Sequence, residues 1–312
     1  MKIVFMGTPD FAEKSLEDVY NAGHEILAVV TNPDRPKGRG MKMVASPVKE
    51  FAVSKNLKIY QPEKVRKNVE FIEEIKKLEP DVICVVAYGK ILPKEILEIP
   101  KLGCINVHGS LLPKYRGAAP IQWAVINGEK VTGVTTMYMD VGMDTGDMIL
   151  KEKTEIAPDE TTGELWDKLA KIGADLLVKT LEQIENKTAP RIPQGEDFLM
   201  APMLDKEMSK IDWESKTAQE IKNLVRGLNP IMGTYAYLNG KKIKIWKVDV
   251  VKANSEDTKN GTVLKSDSKD GLYIKAKDGV IKVLEIQGEN AKRMNIQDFL
   301  RGNQIEVGSI FE

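Results

Sequence analysis

The chain is 312 residues long, 42% hydrophobic and 29% charged, and its 46 basic and 46 acidic side chains cancel to a formal net charge of zero. That balance excludes a nucleic-acid binder that works through its overall field, so a polyanionic partner would have to be met by a local patch. The length is more than one hydrophobic core usually serves, and two domains are expected.

Residues 2–7 read as a short apolar strand, which Pro9 and Asp10 interrupt too early for a secretory leader. The turn Gly7-Thr8-Pro9-Asp10 passes into a helix over 11–21, and Gly23 stops it. The G-x-G-x-x-G spacing of a dinucleotide loop is missing, which weakens a nucleotide-cofactor reading. A second strand at 24–31 is followed by a long connection, Asn32-Pro33-Asp34-Arg35-Pro36-Lys37-Gly38-Arg39-Gly40-Met41-Lys42-Met43. Connections in such units are commonly ~2–6 residues. Two prolines and two glycines speak against regular structure in this one. Arg35, Lys37, Arg39 and Lys42 outnumber the single acid, Asp34. The segment reads either as a solvated surface loop or as a flexible basic arm that orders on phosphates.

Ser46 suits the N-cap of a helix at 46–55. A strand at 57–60, a helix at 63–78 closed by Pro80 and a nearly all-apolar strand at 81–88 follow. A strand apolar on both faces belongs inside a parallel sheet. The alternation predicts an α/β domain with a doubly wound, mostly parallel sheet, whose ligand lies beyond the carboxyl ends of the strands.

The stretch 104–147 carries the chemistry. Cys104-Ile105-Asn106-Val107-His108 reads as a strand, ended by Gly109 and Ser110. Ser110-Leu111-Leu112-Pro113 leads into the loop 114–117, a helix at 118–127 and a strand at 131–140. The turn Val141-Gly142-Met143-Asp144-Thr145-Gly146-Asp147 closes the unit. Alternate strand residues share a face, so the Asn106 amide and the His108 imidazole project side by side. Tyr88-Gly89, Asn106-Val107-His108 and residues 140–144 all fall at predicted carboxyl ends, and the topology is expected to bring them together. An amide can donate to a developing oxyanion, an imidazole can move a proton near neutral pH, and a carboxylate can orient or stabilise that imidazole. Without a G-x-S-x-G elbow, direct transfer to an incoming substrate is favoured over a covalent intermediate. A strand His beside an Asn is by itself more often a satisfied core pair. The chain has one other histidine, His24, which sits at a strand start. The glycines around Asp144 suit a close backbone approach to a ligand.

Cys84 and Cys104 lie in apolar runs and read as small buried hydrophobes, with neither a disulfide framework nor metal-ligand spacing. No run approaches the ~18 apolar residues of a membrane span, and a reduced, cytoplasmic setting is expected. Residues 161–186 form a long amphipathic pattern whose leucines read as core. Periodicity is then lost across Pro190, Pro193 and Pro202, as in a linker. A helix at 210–227 precedes short strands at 233–238, 242–250, 261–264, 271–275 and 280–286, with hairpin signals at Asn239-Gly240 and Asp278-Gly279. Short strands in series suggest a small barrel. In 240–247, Lys242 and Lys244 alternate with Ile243 and Ile245, which fits an edge strand guarded by lysine or a basic face for a nucleic-acid backbone.

Taken together, Asn106-Val107-His108, Ser110-Leu111-Leu112-Pro113, Tyr115-Arg116-Gly117 and Met143-Asp144-Thr145-Gly146 resemble the folate-dependent formyltransferase family. Met6-Gly7-Thr8-Pro9-Asp10-Phe11-Ala12, Thr31-Asn32-Pro33-Asp34-Arg35-Pro36, Ile211-Asp212-Trp213 and Val225-Arg226-Gly227-Leu228-Asn229-Pro230 resemble its tRNA-formylating branch, so the likeness covers nearly the whole chain. The resemblance implies transfer of a formyl group from 10-formyltetrahydrofolate to the α-amine of initiator methionyl-tRNA, without a metal. It implies a catalytic domain at 1–188, a linker at 189–206 and a smaller, OB-like, tRNA-binding β-barrel at 207–312, in a monomer that does not engage membranes. Asn106, His108 and Asp144 would be catalytic. Folate would lie along Ser110, Leu111, Leu112 and Pro113 and backbone near Tyr88, Gly89 and Asp140. The arm would meet the acceptor stem, with Arg39 at the family's key arginine. Two other readings stand beside this one: a formyltransferase or formylfolate hydrolase acting on a small amine, and a non-catalytic RNA-binding protein. The basic arm and the C-terminal domain weigh against the first, and the intact Asn106, His108 and Asp144 against the second. The sequence leaves open whether His108 or Asp144 accepts the first proton.

Overall fold

In the computed structural model, which describes every residue except 38–40 and 253–257, strands and helices alternate through the N-terminal part. Strand β1 (Lys2–Gly7) leads through α1 (Asp10–Asn21) to β2 (Glu25–Val30). The short strands β3 (Arg35–Lys37) and β4 (Lys42–Val44) precede α2 (Pro47–Ser54) and β5 (Ile59–Tyr60). Next come α3 (Val69–Lys77), β6 (Val82–Val86), α4 (Lys94–Leu97) and β7 (Cys104–His108). Then follow α5 (Pro120–Ile126), β8 (Val131–Tyr138), β9 (Met148–Glu155) and α6 (Thr162–Glu185). The C-terminal part holds α7 (Ala218–Gly227), β10 (Thr234–Leu238), β11 (Lys241–Val251), β12 (Val263–Asp267), β13 (Gly271–Ala276), β14 (Gly279–Gln287), β15 (Met294–Asn295) and α8 (Ile296–Gly302).

The residues group into two compact units. The first comprises Met1–Pro120, Val131–Glu155 and Trp166–Pro202. Its seven-stranded sheet runs β5-β2-β1-β6-β7-β8-β9. The first five strands of that order are parallel, as the alternation predicts. The chain winds outward from β1 to β5 and restarts at β6, so the switch point of the sheet lies between β1 and β6. Backbones close tightly there: a Cβ on Gly7 would sit 2.8 Å from the Val86 carbonyl oxygen. All of β6 is buried. Helix α2 takes Ser46 as its N-cap, the hydroxyl accepting from the Lys49 N–H. Helix α3 is shorter than the sequence suggests, because Lys67 turns left-handed at φ 62° and Asn68 caps the helix, leaving 63–68 outside it.

Strands β8 and β9 depart from the expected topology. β8 runs antiparallel to β7, with Asn106 opposite Met137 and His108 opposite Thr135. The loop 139–147 therefore opens beside Cys104, at the amino end of β7, where Met139 donates to the Cys104 carbonyl at 2.8 Å. The expectation that residues 140–144 join the site from a carboxyl end of a parallel sheet is corrected on this point. The loop begins at the opposite end and folds back.

The second unit comprises Ile121–Lys130, Ile156–Leu165 and Met203–Glu312. Its antiparallel strands run β10-β11-β14-β13-β12, with β15 beside β14. The C-terminal residues close the ring, Phe311 bridging to Leu238 at the end of β10 and Ile310 to Thr262 just before β12. Ile245, Leu272, Ile274, Ile281, Val283 and Ile286 are fully buried in its core. Helix α7 opens on a capping box between Thr217 and Glu220 and packs Ile221 and Val225 into the same core. This grouping cuts across the linear order, since 121–130 and 156–165 sit with the C-terminal residues and 189–202 with the first unit.

Candidate active site

β7 carries Asn106 and His108 on alternate positions beside β6 and β8. His108 is buried, and its Nε2 lies 2.9 Å from the Tyr115 carbonyl oxygen. A carbonyl can only accept, so Nε2 carries a hydrogen and donates it. The other ring nitrogen, Nδ1, faces Asp144 Oδ2 across 3.6 Å. That is too far for a hydrogen bond but close enough for an ion pair once Nδ1 gains a proton. The same Oδ2 accepts the Gly117 N–H at 2.8 Å. Asn106 is half-buried, and no protein hydrogen bond to its side chain is found among the described residues. The imidazole nitrogen and the carboxylate thus face each other, and strand alternation puts the Asn106 amide on the same face of β7 as the imidazole.

Two residues around the imidazole hold left-handed backbone, Tyr115 at φ 63° and Asp144 at φ 55°. Such non-glycine conformations cost about 1–2 kcal/mol each and persist only where surrounding bonds hold them. In the Asp144 loop, Asp140 Oδ1 accepts from the Gly142 N–H at 2.9 Å and from the Thr145 hydroxyl at 2.6 Å. Its carboxylate is thereby engaged in shaping the loop. A Cβ on Gly146 would lie 1.9 Å from the Tyr138 carbonyl oxygen. This glycine is demanded by the packing of the loop, a different reason from the ligand approach expected of it.

Ser110, Leu111, Leu112 and Pro113 form a firmly held turn. The Ser110 hydroxyl donates to the Lys114 carbonyl at 2.6 Å. Thr135 of β8 donates from its hydroxyl to the Ser110 carbonyl at 2.7 Å and accepts the Leu112 N–H at 3.1 Å. Lys151 of β9 reaches the Leu112 carbonyl with its Nζ at 2.5 Å, and burial lowers that ammonium below its ordinary pKa. Leu112 packs on Met137 and Met148. Thr135 and Lys151 went unread in the sequence, because only the register of the antiparallel strands brings them here. Tyr88 sends its ring into the core beside β6, where burial pushes the phenol up and its hydroxyl has no hydrogen-bond partner among the described residues. What Tyr88 offers the site is backbone, and its carbonyl already accepts from the Asn32 amide at 2.9 Å. Gly89 follows at φ 76° with open space where a Cβ would be.

The basic arm corrects another expectation. β3 and β4 pair as an antiparallel hairpin, Arg35 opposite Val44 and Lys37 opposite Lys42. A two-stranded ladder leaves each strand one free edge, so Pro36 can sit in it without losing a ladder bond. Arg35 and Lys42 are exposed, together with Met41 and Met43. Arg39 lies outside the described residues. Asp34 is occupied at the base, bonded to Lys49 at 2.6 Å and Gln61 at 2.8 Å. In the second unit, β11 runs between β10 and β14, which removes the edge-strand reading of its lysines. Lys242 stands 3.5 Å over the Tyr235 ring, and Lys244 donates to the Met232 carbonyl at 3.2 Å. Among the described residues no group of three or more His, Cys, Asp or Glu side chains is placed to hold a metal.

The sequence matches the formyl transferase family over residues 1–181 and the formyl transferase C-terminal domain over 203–304. It is 54% identical over 311 residues to the methionyl-tRNA formyltransferase of Clostridioides difficile, covering 99% of each chain. It is 51% identical over 310 residues to that of Ruminiclostridium cellulolyticum, covering 99% of this chain and 98% of the relative. An N-formyltransferase from Helicobacter canadensis, solved with folinic acid and dTDP-3-aminofucose, shares the fold at TM-score 0.66 and 20% identity over 94% of this chain and 100% of that one. HypX from Aquifex aeolicus, solved with tetrahydrofolic acid, shares it at TM-score 0.66 and 16% identity over 99% of this chain and 50% of HypX.

Proposed function

The chain belongs to the formyl transferase family, and from that premise we propose how its residues divide the work of the reaction. The enzyme moves a formyl group from 10-formyltetrahydrofolate to the α-amine of methionyl-tRNA, in support of translation initiation. The amine nitrogen attacks the formyl carbon, and a C–N bond forms as the carbonyl oxygen takes up charge. Asn106 donates its amide N–H to that oxygen. His108, fixed at Nε2 by the Tyr115 carbonyl, works through Nδ1 and stabilises the oxyanion in its protonated form. The bond to folate N10 then breaks, N10 gains a proton, and the former ammonium loses one. Asp144 stabilises the charged imidazole across the 3.6 Å separation and relays protons through a neighbouring water.

Folate lies along Ser110, Leu111, Leu112 and Pro113 and the backbone at Tyr88, Gly89 and Asp140. Arg35, Lys37, Arg39 and Lys42 meet tRNA phosphates, as do Lys242 and Lys244. The division into a catalytic part at 1–188, a linker at 189–206 and a tRNA-binding part at 207–312 belongs to the same reading, as do a monomeric state and a cytoplasmic site of action. No helix among the described residues is long and apolar enough to cross a membrane.

The observation that carries the assignment is the single free nitrogen of His108 facing a carboxylate. Asp144→Asn removes the charge and keeps the shape. It should cut turnover of methionyl-tRNA by roughly 100-fold or more and leave folate affinity, measured by calorimetry, within about threefold. Equal and large losses in both would make Asp144 a folate-binding residue.

A further inference from the structure

We propose that Gln194 is a positioning residue of the transfer reaction, which clamps the loop carrying Asp144 to Arg116. The inference rests on the catalytic reading of Asp144 given above.

Gln194 lies in a run from 191 to 200 in which every other side chain is exposed, and it alone is half-buried. Its amide uses both hydrogens, Nε2 donating to the Asp144 carbonyl at 2.8 Å and to the Gly146 carbonyl at 2.8 Å. Those two acceptors flank Thr145, so one side chain bridges the turn in which Asp144 keeps φ 55°. On its other side, Oε1 accepts from Arg116 Nε at 2.9 Å. Arg116 is buried, donates from Nη2 to the Gly195 carbonyl at 3.4 Å and stacks its guanidinium 4.5 Å from the centre of the Phe198 ring. Its backbone pairs with the same strap, its N–H reaching the Leu199 carbonyl at 2.9 Å and its carbonyl accepting from Ala201 at 2.7 Å. The next residue, Gly117, supplies the N–H that holds Asp144 Oδ2.

The contacts form a closed circuit. The Asp144 carboxylate is held by Gly117, its backbone by Gln194, and Gln194 by Arg116, the neighbour of Gly117. A left-handed residue at the tip of a loop relaxes easily if the bonds around it are removed. A change of about 1 Å in the carboxylate would disturb its gap to the imidazole, and displacements of that size can cost roughly 100-fold in rate. The strap at 191–200, exposed apart from Gln194, thus acts on chemistry it does not touch.

Gln194→Glu tests this, since it keeps an acceptor for Arg116 but replaces both donors with a carboxylate facing two carbonyls. Gln194→Met removes all three bonds at similar volume and serves as the second variant, with thermal unfolding measured for both. Both should lower kcat by roughly 10- to 100-fold, while KM for 10-formyltetrahydrofolate and for methionyl-tRNA stays within about twofold. In the Asp144→Asn background, under single-turnover conditions, Gln194→Glu should cost less than about twofold more, because the group it positions is already gone. Wild-type kcat in both variants overturns the proposal. So does an undiminished loss in the Asp144→Asn background, which would mean that Gln194 acts elsewhere. Wild-type turnover in Asp144→Asn alone would instead overturn the reading on which the proposal depends, and the proposal with it.

Discussion

At the scale of single residues, the site is governed by which atoms are already spoken for. The Tyr115 carbonyl occupies Nε2 of His108, and Gly117 occupies part of the Asp144 carboxylate. The Asn106 amide has no protein hydrogen bond among the described residues, and the proposed mechanism assigns it to the substrate oxygen. A donor aimed at a developing oxyanion in a water-poor site is worth about 3–4 kcal/mol, or 100- to 1000-fold in turnover. Asn106→Ala should lose that much in kcat with an unchanged unfolding temperature, and near-wild-type turnover in the folded variant would remove Asn106 from the mechanism. The residue types of this trio could be read from the sequence because strand alternation puts Asn106 and His108 on one face and the chemistry asks for a nearby carboxylate. Their partners could not. Tyr115 and Leu112 act through backbone atoms, and Thr135 and Lys151 reach the turn only through the pairing of β7, β8 and β9.

At the scale of elements, the parallel part of the sheet was legible because β6 and its neighbours are apolar on both faces. The antiparallel turn of β8 was not, since nothing local in a strand states the direction of its neighbour. The arm departs from the expectation of no regular structure for a related reason: prolines and glycines mark turns, but they do not exclude a two-stranded hairpin between them. A hairpin places Arg35 and Lys42 on a defined surface, and that sharpens its test. Each phosphate neutralised contributes a slope of roughly −0.7 to −0.9 in a log–log plot of affinity against salt. The double variant Arg35→Ala, Lys42→Ala should raise KM for methionyl-tRNA and flatten its salt dependence by about one to two such units, with KM for 10-formyltetrahydrofolate unchanged. Parallel salt plots for variant and wild type would make the hairpin an ordinary solvated surface.

At the scale of the whole molecule, the second unit is assembled from three separate pieces of chain, and one buried side chain gathers them. Arg226 of α7 donates to the carbonyls of Val125 at 3.4 Å, Ala157 at 3.3 Å and Glu160 at 3.2 Å, and to Asn223 at 3.1 Å. Burial holds its guanidinium below its ordinary pKa. Beside it, a Cβ on Gly227 would lie 2.5 Å from the Ile126 side chain, so α7 can approach α5 only through a glycine. Lys222 adds a second tie, to Asp159 at 2.6 Å and Asp249 at 2.9 Å. A division of the sequence into consecutive domains cannot register such an arrangement, because side chains such as Arg226 make it by reaching distant stretches of backbone. The consequence is testable. Arg226→Met preserves bulk but orphans these acceptors, which should cost about 3 kcal/mol of stability. Hydrogen exchange should quicken first in 121–130 and 156–165, with the parallel sheet of the first unit unaffected at low denaturant. If those two segments keep their protection in a variant that unfolds at the wild-type temperature, Arg226 is not what holds the second unit together.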